Sequence, residues 1–473
     1  LLDYIRKTNV TEGEVGGITQ RLSAYEVTHK GVDGLEKKIT FLDSPGHEAF
    51  SGMRSRGAKA ADIAILVVSA EDGVKAQTVE ALKTIEAQKI PYIVALNKID
   101  KPGANIEKAK ASLAENGIYI EGFGGTIPII LISAKTGTGI PELLDMIVLV
   151  SDLQELTGDA SALGEGVVLE SHADPKRGIS ATLLIKNGVV ERGAYVVAEN
   201  AFAPIRIFED FMGRQLDTAT FSSPIMIAGF SEAPNVGAPF KVFPTKKEAE
   251  EESLSHAKAK KFFETKPNVV IKKKGEEGYG EETLEKKMIA LIVKADTAGS
   301  LEAIEKEITK FKKESISWNI VQRGIGAVTE SDVKLASSLK DSLLVSFNVK
   351  TEKGASELAL RLDFPINSFD IIYKLLEWFG AEIETRKPKF ETEEVTGSIK
   401  ILKFFSKSRD EQVIGGRVQR GIIITGNHVR ILRRDFEIGR GKIVQLQQQK
   451  DKVKEVGEGT ECGLMVESKV EIA

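Results

Sequence analysis

The sequence predicts a multidomain chain of mixed α/β plus β class: an incomplete parallel-sheet domain, a β-barrel, an α/β sandwich, a long helix and a second β-barrel. Three observations predict it. Short apolar runs alternate with helical segments up to about residue 156, the pattern of a mainly parallel sheet covered on both faces. From Gly164 to about Val242 the runs turn short and β-rich, broken by Gly and Pro, with no long helix between them. Strand–helix alternation returns at Met288, and β patterns alone return at Gly397.

Length and composition bound the answer. A chain of 473 residues has room for roughly three or four domains. At 42% apolar and 28% charged it is an ordinary globular composition, which excludes a disordered or collagen-like chain. The net charge of −4 makes the whole chain no magnet for nucleic acid, so any such site must be a local patch. The single cysteine, Cys462, excludes an internal disulfide and fits a reducing compartment. No apolar run approaches the roughly 20 residues of a membrane span, and no signal peptide is present. A cytoplasmic protein is the expectation. Leu1 to Lys7 has apolar positions at helical spacing but no initiator Met and no cap, and Ser468 to Ala473 alternates like a strand with no turn after it. A fragment at both ends is expected.

In residues 1–156 the expected strands are Ile39–Leu42, Ile63–Ser69, Tyr92–Leu96 and Ile129–Ser133. The expected helices are Glu48–Lys59, Lys75–Gln88, Ile106–Asn116 and Ile140–Leu153. Ligands on such sheets bind at the carboxyl ends of strands. Three loops there carry chemistry. After the first strand come Asp43, Ser44, Pro45, Gly46 and His47. A carboxylate at a strand end can hold magnesium through water, a Gly N–H can approach a terminal phosphate, and an imidazole can orient an attacking water. The plainer reading is a strand and a tight turn. After Tyr92–Leu96 come Asn97, Lys98, Ile99 and Asp100. An Asp here can accept two hydrogen bonds from a ring carrying N–H and exocyclic NH2, which guanine has and adenine lacks. Asn97 can tie neighbouring loops, and the Lys98 stem can lie over the ring. After Ile129–Ser133 the run Ser133, Ala134, Lys135 offers backbone N–H groups to a base carbonyl, or makes a Gly-rich turn with Gly137 and Gly139. Three such loops, in order and each at a strand end, point to one guanine-nucleotide site. Asp43, His47 and Asp100 should then surround a shared cleft.

The rest of the chain follows in order. Residues 157–245 read as a small barrel with strands Ile179–Ile185, Tyr195–Val197, Ile205–Phe208 and Ile225–Phe230. Residues 246–284 read as a charged helical linker, a solvated helix over Lys246–Lys274 and then a flexible Lys-Gly-Glu stretch. Residues 285–366 read as an α/β sandwich: Met288–Val293, Ser300–Phe311, Ile316–Gln322, Glu330–Leu339 and Leu343–Asn348, with Asp296, Gly299 and Ser300 as turn and cap. Residues 367–390 hold a helix, Phe369–Glu384, packed around Trp378. Residues 391–473 read as a second barrel with strands Ile399–Phe405, Gly421–Thr425, His428–Leu432 and Lys442–Leu446, and a Gly415-Gly416 turn. Between Gly397 and Lys450 stand 12 Lys/Arg against 4 Asp/Glu, a local +8 that suits RNA phosphates or a solvated basic face.

The set D-x-P-G-H, N-K-x-D and S-A-K resembles the translational GTPases. With Gly16-Gly17-Ile18-Thr19-Gln20 and D-S-P-G-H-E-A-F, the chain looks most like the bacterial initiation factor 2 family. The resemblance implies a P-loop-GTPase-type sheet, GTP/GDP and Mg2+ as cofactors, and Thr19 and Asp43 at the ion, which puts Thr19 beside the same cleft. It implies Gly46 at the γ-phosphate, His47 positioning the hydrolytic water, and Asn97 and Asp100 reading guanine. It further implies a monomer that delivers initiator formylmethionyl-tRNA to the small ribosomal subunit and hydrolyses GTP when the large subunit joins. The last barrel would hold the tRNA end through Glu461, Cys462 and Gly463, although Cys462 equally suits a buried strand position.

The chain departs from the family pattern in places. Ser44 replaces a Thr. The phosphate loop ending Gly-Lys-Thr, and the first strand of the sheet, are absent from residues 1–473, so the chain as written is expected to bind GTP poorly. Gly416 stands where the family often has Cys, and Gln447-Gln448-Gln449-Lys450 replaces a basic, aromatic stretch. The alternatives are another tRNA-handling translational GTPase and a non-enzymatic RNA-binding protein.

Overall fold

A computed structural model describes residues 1–7, 18–31, 34–174, 176–264, 287–311, 316–386, 394–408, 411–434, 436–449 and 451–472. The chain divides into two compact units, Leu1–Pro388 and Lys389–Ala473.

The first unit opens with a short helix α1 (Leu2–Arg6), an antiparallel pair β1 (Ser23–Lys30) and β2 (Glu36–Asp43), and helix α2 (Ser51–Ala60). Then come β3 (Ala64–Ser69), α3 (Ala76–Gln88), β4 (Tyr92–Asn97), α4 (Ile106–Glu115), β5 (Ile129–Leu131) and α5 (Ile140–Leu153). β3, β4 and β5 form a parallel sheet with β4 in the centre. Ile93, Val94, Ala95 and Leu96 of β4 are wholly buried, and the larger aliphatic chains contribute about 1.5–3 kcal/mol each by leaving water. One face of this sheet packs on α3 and α4 through Leu82, Ile85, Ala109 and Leu113. The other packs on α5, with Leu1, Leu2 and Ile5 of α1 against it.

The expected incomplete parallel sheet is present, and the structure shows where it is interrupted. Among the described residues no ladder joins β2 to β3, so the sheet is in two pieces. β2 instead pairs along its length with β1, in a register from Ser23↔Asp43 to Lys30↔Glu36. β1 carries the alternation of a strand exposed on one face, Tyr25 and Val27 between Glu26 and Thr28, rather than the continuous apolar run of β3 and β4.

The second section is antiparallel: β6 (Glu165–Asp174), β7 (Gly178–Asn187), β8 (Val189–Glu191), β9 (Tyr195–Ala198), β10 (Ala201–Pro204), β11 (Ile207–Asp210), β12 (Thr218–Thr220), β13 (Pro224–Ala228) and β14 (Pro239–Phe243). Seven of these strands, ordered β10-β9-β14-β6-β7-β13-β11, curl barrel-like around Phe208, Phe240, Ile225 and Ile227. Of the expected strand Ile205–Phe208 only Ile207 and Phe208 lie in a strand, β11, since Ile205 and Arg206 fall in the break after β10. The barrel docks on the first section: Lys186 Nζ meets Asp62 Oδ1 at 2.7 Å and the Ala60 carbonyl at 2.9 Å. Helix α6 (Lys246–Glu264) follows. It does not bridge freely: Ala249 is wholly buried, and Ser253 Oγ donates to the Asn200 carbonyl of the barrel at 2.5 Å. The rest of the expected linker lies outside the described residues.

The third section comprises β15 (Lys287–Ala295), α7 (Ala298–Lys310), β16 (Ile316–Ile325), α8 (Glu330–Ser338), β17 (Ser342–Phe347), α9 (Lys353–Arg361), β18 (Ile366–Phe369) and α10 (Ile372–Thr385). Its parallel sheet has the order β16-β15-β17-β18. One face packs on α7 and α10, and Phe50 and Met53 from the first section join that core. The other packs on α8 and α9. Two expectations change here. The last helix starts at Ile372, because Phe369 ends a strand paired with Phe347 of β17. Thr297, not Asp296, caps α7 by accepting from Ser300 N. The Asp296 carboxylate instead pairs with Arg21 and accepts from Asn348 Nδ2 at 2.8 Å.

The second unit contains β19 (Gly397–Ser408), β20 (Glu411–Ile424), β21 (His428–Arg433), β22 (Phe436–Gln448), β23 (Asp451–Val453), β24 (Glu455–Gly457) and β25 (Glu461–Glu467). The main order is β19-β20-β25-β22-β21, around a core of Ile414, Val418, Leu446, Leu464 and Val466. Gly415 and Gly416 form no turn. They lie inside β20, opposite Gly463 and Cys462. A Cβ on Gly416 would stand 2.7 Å from the Lys400 carbonyl, so glycine lets the neighbouring strand come close.

Candidate functional site

Two of the three predicted loops meet after β4 and β5. Asn97 Oδ1 accepts from Lys98 N at 2.8 Å and from Ala134 N at 3.0 Å, which ties the loops together. Ser133 Oγ donates to Asp100 Oδ1 at 2.7 Å, and that bond holds the Asp100 carboxyl below the usual carboxylate range. Asp100 is exposed and ionised, so its remaining acceptor capacity faces outward. Lys98 sits at φ 66°, a left-handed conformation that a lysine holds only when its surroundings dictate it. Its Nζ lies 3.6 Å from Asp72 Oδ2. Ser133 is itself wholly buried, and its Oγ also accepts from Thr136 N at 3.1 Å. The arrangement is a rigid acceptor platform with an exposed carboxylate, suited to a ring bearing adjacent N–H donors.

The third loop borders a cleft of about 830 Å³. Thr19, Asp43, Ser44, Pro45 and Gly46 line it, together with the edges of β2 and β3. Consecutive residues of both strands, 37–43 and 63–67, face this space, so it is the gap where the two sheet pieces fail to pair. The expected single cleft is therefore only half formed. Asn97, Lys98, Ile99, Asp100, Ser133, Ala134 and Lys135 make their own cluster on β4 and β5, beside β3, and do not line the gap. Arg54 of α2 braces the loop, its guanidinium donating to the carbonyls of Pro45 at 2.8 Å and His47 at 2.6 Å while pairing with Glu80.

His47 does not line the cleft either. Its ring packs on Tyr373 of α10, with centroids 4.1 Å apart and planes tilted by 32°, and Phe50 meets it edge-on at 6.0 Å. Nδ1 accepts from Ala49 N at 2.9 Å. Nε2 is buried without a hydrogen-bond partner among the described residues. Burial pushes the imidazole pKa down, so the ring is neutral at pH 7. With Nδ1 accepting, the proton of the neutral ring belongs on Nε2.

In the second unit a row of neighbours crosses four strands: Lys403, Gly415, Gly463 and Gln447, with Lys452 of β23 beyond. The two glycines leave a shallow floor between long side chains, and Phe405 stands 58% exposed beside it. Glu461 pairs with Arg417 at 3.2 Å on the same surface. Cys462 is not on it. Strand alternation turns its side chain into the barrel core, where burial raises the thiol pKa.

Family models match along the first unit: "Elongation factor Tu GTP binding domain" over residues 6–152, "Elongation factor G domain 2" over 164–243 and "Translation-initiation factor 2" over 265–379. The translation initiation factor IF-2 of Rubrobacter xylanophilus is 39% identical over 474 residues, spanning 99% of this chain and 67% of that protein. The chain belongs to the translation initiation factor IF-2 family. The IF-2 of Bacillus licheniformis is 39% identical over 468 residues, and there the chain spans 64% of the relative's length. Among solved structures, GDP-bound aIF5B from Aeropyrum pernix is similar over 99% of this chain and 86% of that one, at 24% identity and a TM-score of 0.46.

As a member of the IF-2 family the chain carries its nucleotide motifs at strand ends, but several residues around them gave no sequence signal. Arg54 is one of two arginines on α2 and the most buried of its polar residues. Tyr373 is far from the motifs in sequence yet packs on His47, and Gln20, next to Thr19, reaches the same distant segment. Gln20 Nε2 donates to the Asp370 carbonyl at 3.0 Å, and its Oε1 accepts from Ile372 N at 3.3 Å, at the start of α10. Gly16 and Gly17 lie outside the described residues.

Proposed function

We propose that this chain is the greater part of a GTP-hydrolysing initiation factor. It delivers initiator formylmethionyl-tRNA to the small ribosomal subunit in the cytoplasm and hydrolyses GTP when the large subunit joins. The observation that carries the reading is the Asn97–Ala134 and Ser133–Asp100 network, because it builds a carboxylate acceptor of guanine geometry at two adjacent strand ends. Asp100 accepts from the base, the Lys98 stem covers its face, and the backbone N–H groups from Ser133 to Lys135 meet its carbonyl.

Gly46 supports the phosphate end. Its φ is not in the left-handed region and a Cβ there would meet nothing within 4 Å, so neither turn nor packing demands glycine. Close approach of a ligand does. Thr19 and Asp43 border the same cleft and present hard oxygens, the donor type that Mg2+ takes alongside phosphate and water. Those two residues would hold the ion, which supplies charge neutralisation at the phosphates. The gap between β2 and β3 is where a further strand and its phosphate-cradling loop would enter. His47 orients water once it leaves its present position. In the last barrel, Glu461, Gly463 and the basic residues around the glycine floor receive the tRNA end, with the protein acting as a monomer.

The test is the base-reading carboxylate. In the full-length protein Asp100→Asn should move preference from guanine to xanthine nucleotides. A variant that still prefers GTP overturns the reading.

A further inference from the structure

We propose that the start of α10 is a restraint on hydrolysis, with Tyr373 as the positioning residue that keeps His47 out of the reaction. The inference rests on the GTP-hydrolysing function proposed above and names the part of the fold that holds it in check. Three observations converge. The His47 ring is stacked on Tyr373 and sits apart from the cleft that Asp43 and Gly46 border. Its Nδ1 is already accepting from Ala49 N, which assigns the ring proton to Nε2 and leaves no free acceptor to take a proton from water. Gln20, adjacent to Thr19, grips the backbone at Asp370 and Ile372 with both ends of its amide. The segment carrying Thr19 and the segment carrying His47 thus fasten to the same turn of one helix, within three residues of each other.

The neighbours explain why Tyr373 carries the restraint. Arg54 fixes the backbone carbonyls at Pro45 and His47, and Lys310 ties Glu48 to Glu307 of α7. With the backbone fixed on both sides, the imidazole has its own side-chain rotation left. Phe50 blocks one direction edge-on, and Tyr373 covers the ring face. Tyr373 is 48% exposed, so its own loss leaves the core of the third section intact. Turning His47 toward the phosphates requires giving up the ring contact and the Ala49 bond together. Any displacement of α10 removes the first of these.

The experiment uses full-length protein, with Tyr373→Leu and Tyr373→Phe. NMR of the His47 ring protons reads the contact without any nucleotide. Tyr373→Leu should remove the ring-current shift of the tyrosine, and Tyr373→Phe should keep it. Ribosome-free GTP hydrolysis should rise about two- to tenfold in Tyr373→Leu, the population change that loss of one aromatic pair brings. It should stay at the wild-type rate in Tyr373→Phe and show no rise when His47→Ala is added to Tyr373→Leu. A shift that moves with no rise in hydrolysis overturns the restraint, while ribosome-stimulated hydrolysis in the wild type leaves the proposed function standing. A shift that does not move overturns the contact itself. Wild-type protein that hydrolyses no GTP on ribosomes removes the function, and the restraint with it.

Discussion

Ser133 Oγ donates a 2.7 Å hydrogen bond to Asp100 Oδ1, across the two loops that end β4 and β5. Ser133 is wholly buried and Asp100 is exposed, so the buried partner aims the exposed one. Ser133→Ala frees the carboxylate to rotate and removes the bond that keeps its pKa low. We expect GDP affinity of the full-length protein to fall several-fold with guanine preference retained, measured by titration. Unchanged affinity would show that Asp100 needs no aiming.

One substitution separates the cap that His47 supplies from the hydrolytic role proposed for it. Its Nδ1 caps the turn at Ala49, and a lost cap costs about 1 kcal/mol. His47→Ala should therefore lower stability by about that amount, keep GTP binding, and lose ribosome-stimulated hydrolysis. Chemical unfolding reads the first, nucleotide titration the second and phosphate release the third. Wild-type turnover in the variant would take His47 out of the mechanism.

Glu170 of β6 gives the first unit a pH dependence. Its Oε1 accepts from Gly299 N at 3.2 Å, joining the barrel to the start of α7, and burial pushes its carboxyl up to about 7 from the ordinary 4.5. Between those values the folded chain holds a proton that the unfolded chain releases. Stability from this group is full below about pH 4.5 and is lost as pH rises through about 7, by at most ~3 kcal/mol. Denaturant unfolding on either side of that window should show the slope in the wild type and a flatter one in Glu170→Gln. The slope is the readout, since the new amide changes stability at every pH.

The glycine floor of the second unit separates folding from binding. A Cβ on Gly463 would meet its nearest neighbour, Gln447, at only 3.9 Å, so Gly463→Val should change stability by no more than about 0.5 kcal/mol. It would raise the floor between Lys403 and Gln447. Initiator-tRNA binding should weaken markedly in filter or fluorescence assays, with the thermal midpoint held. Full binding by a folded variant would move the RNA site elsewhere on the barrel.

The elements written in continuous apolar runs were legible in the sequence. β3, β4 and the helices α3 to α5 fall close to where the pattern put them, because a strand buried on both faces has no polar positions to blur it. β1 alternates apolar and polar residues instead of forming a continuous run, and the start of α10 was blurred because Phe369 of β18 and Ile371 precede it at helical spacing. Gly415 and Gly416 read as a turn, since the pattern of one strand does not reveal the close approach of the next. In the candidate site, local residue order placed Asp43, Gly46, Asn97 and Asp100 at strand ends, where the structure has them. It could not reach Arg54, Gln20 or Tyr373, whose contacts cross from 7 to more than 300 residues of chain.

By itself the sequence determined which residue types stand at each strand end, since short-range order sets both the strand and the residues that follow it. Only the tertiary structure decided how those ends are grouped. The loops after β4 and β5 close on each other through Asn97 and Ser133, whereas β2 stands apart from β3 across an open gap. His47 is drawn to Tyr373 because an aromatic face from a distant helix happens to pack there, and packing between segments far apart in the chain leaves no local mark to read.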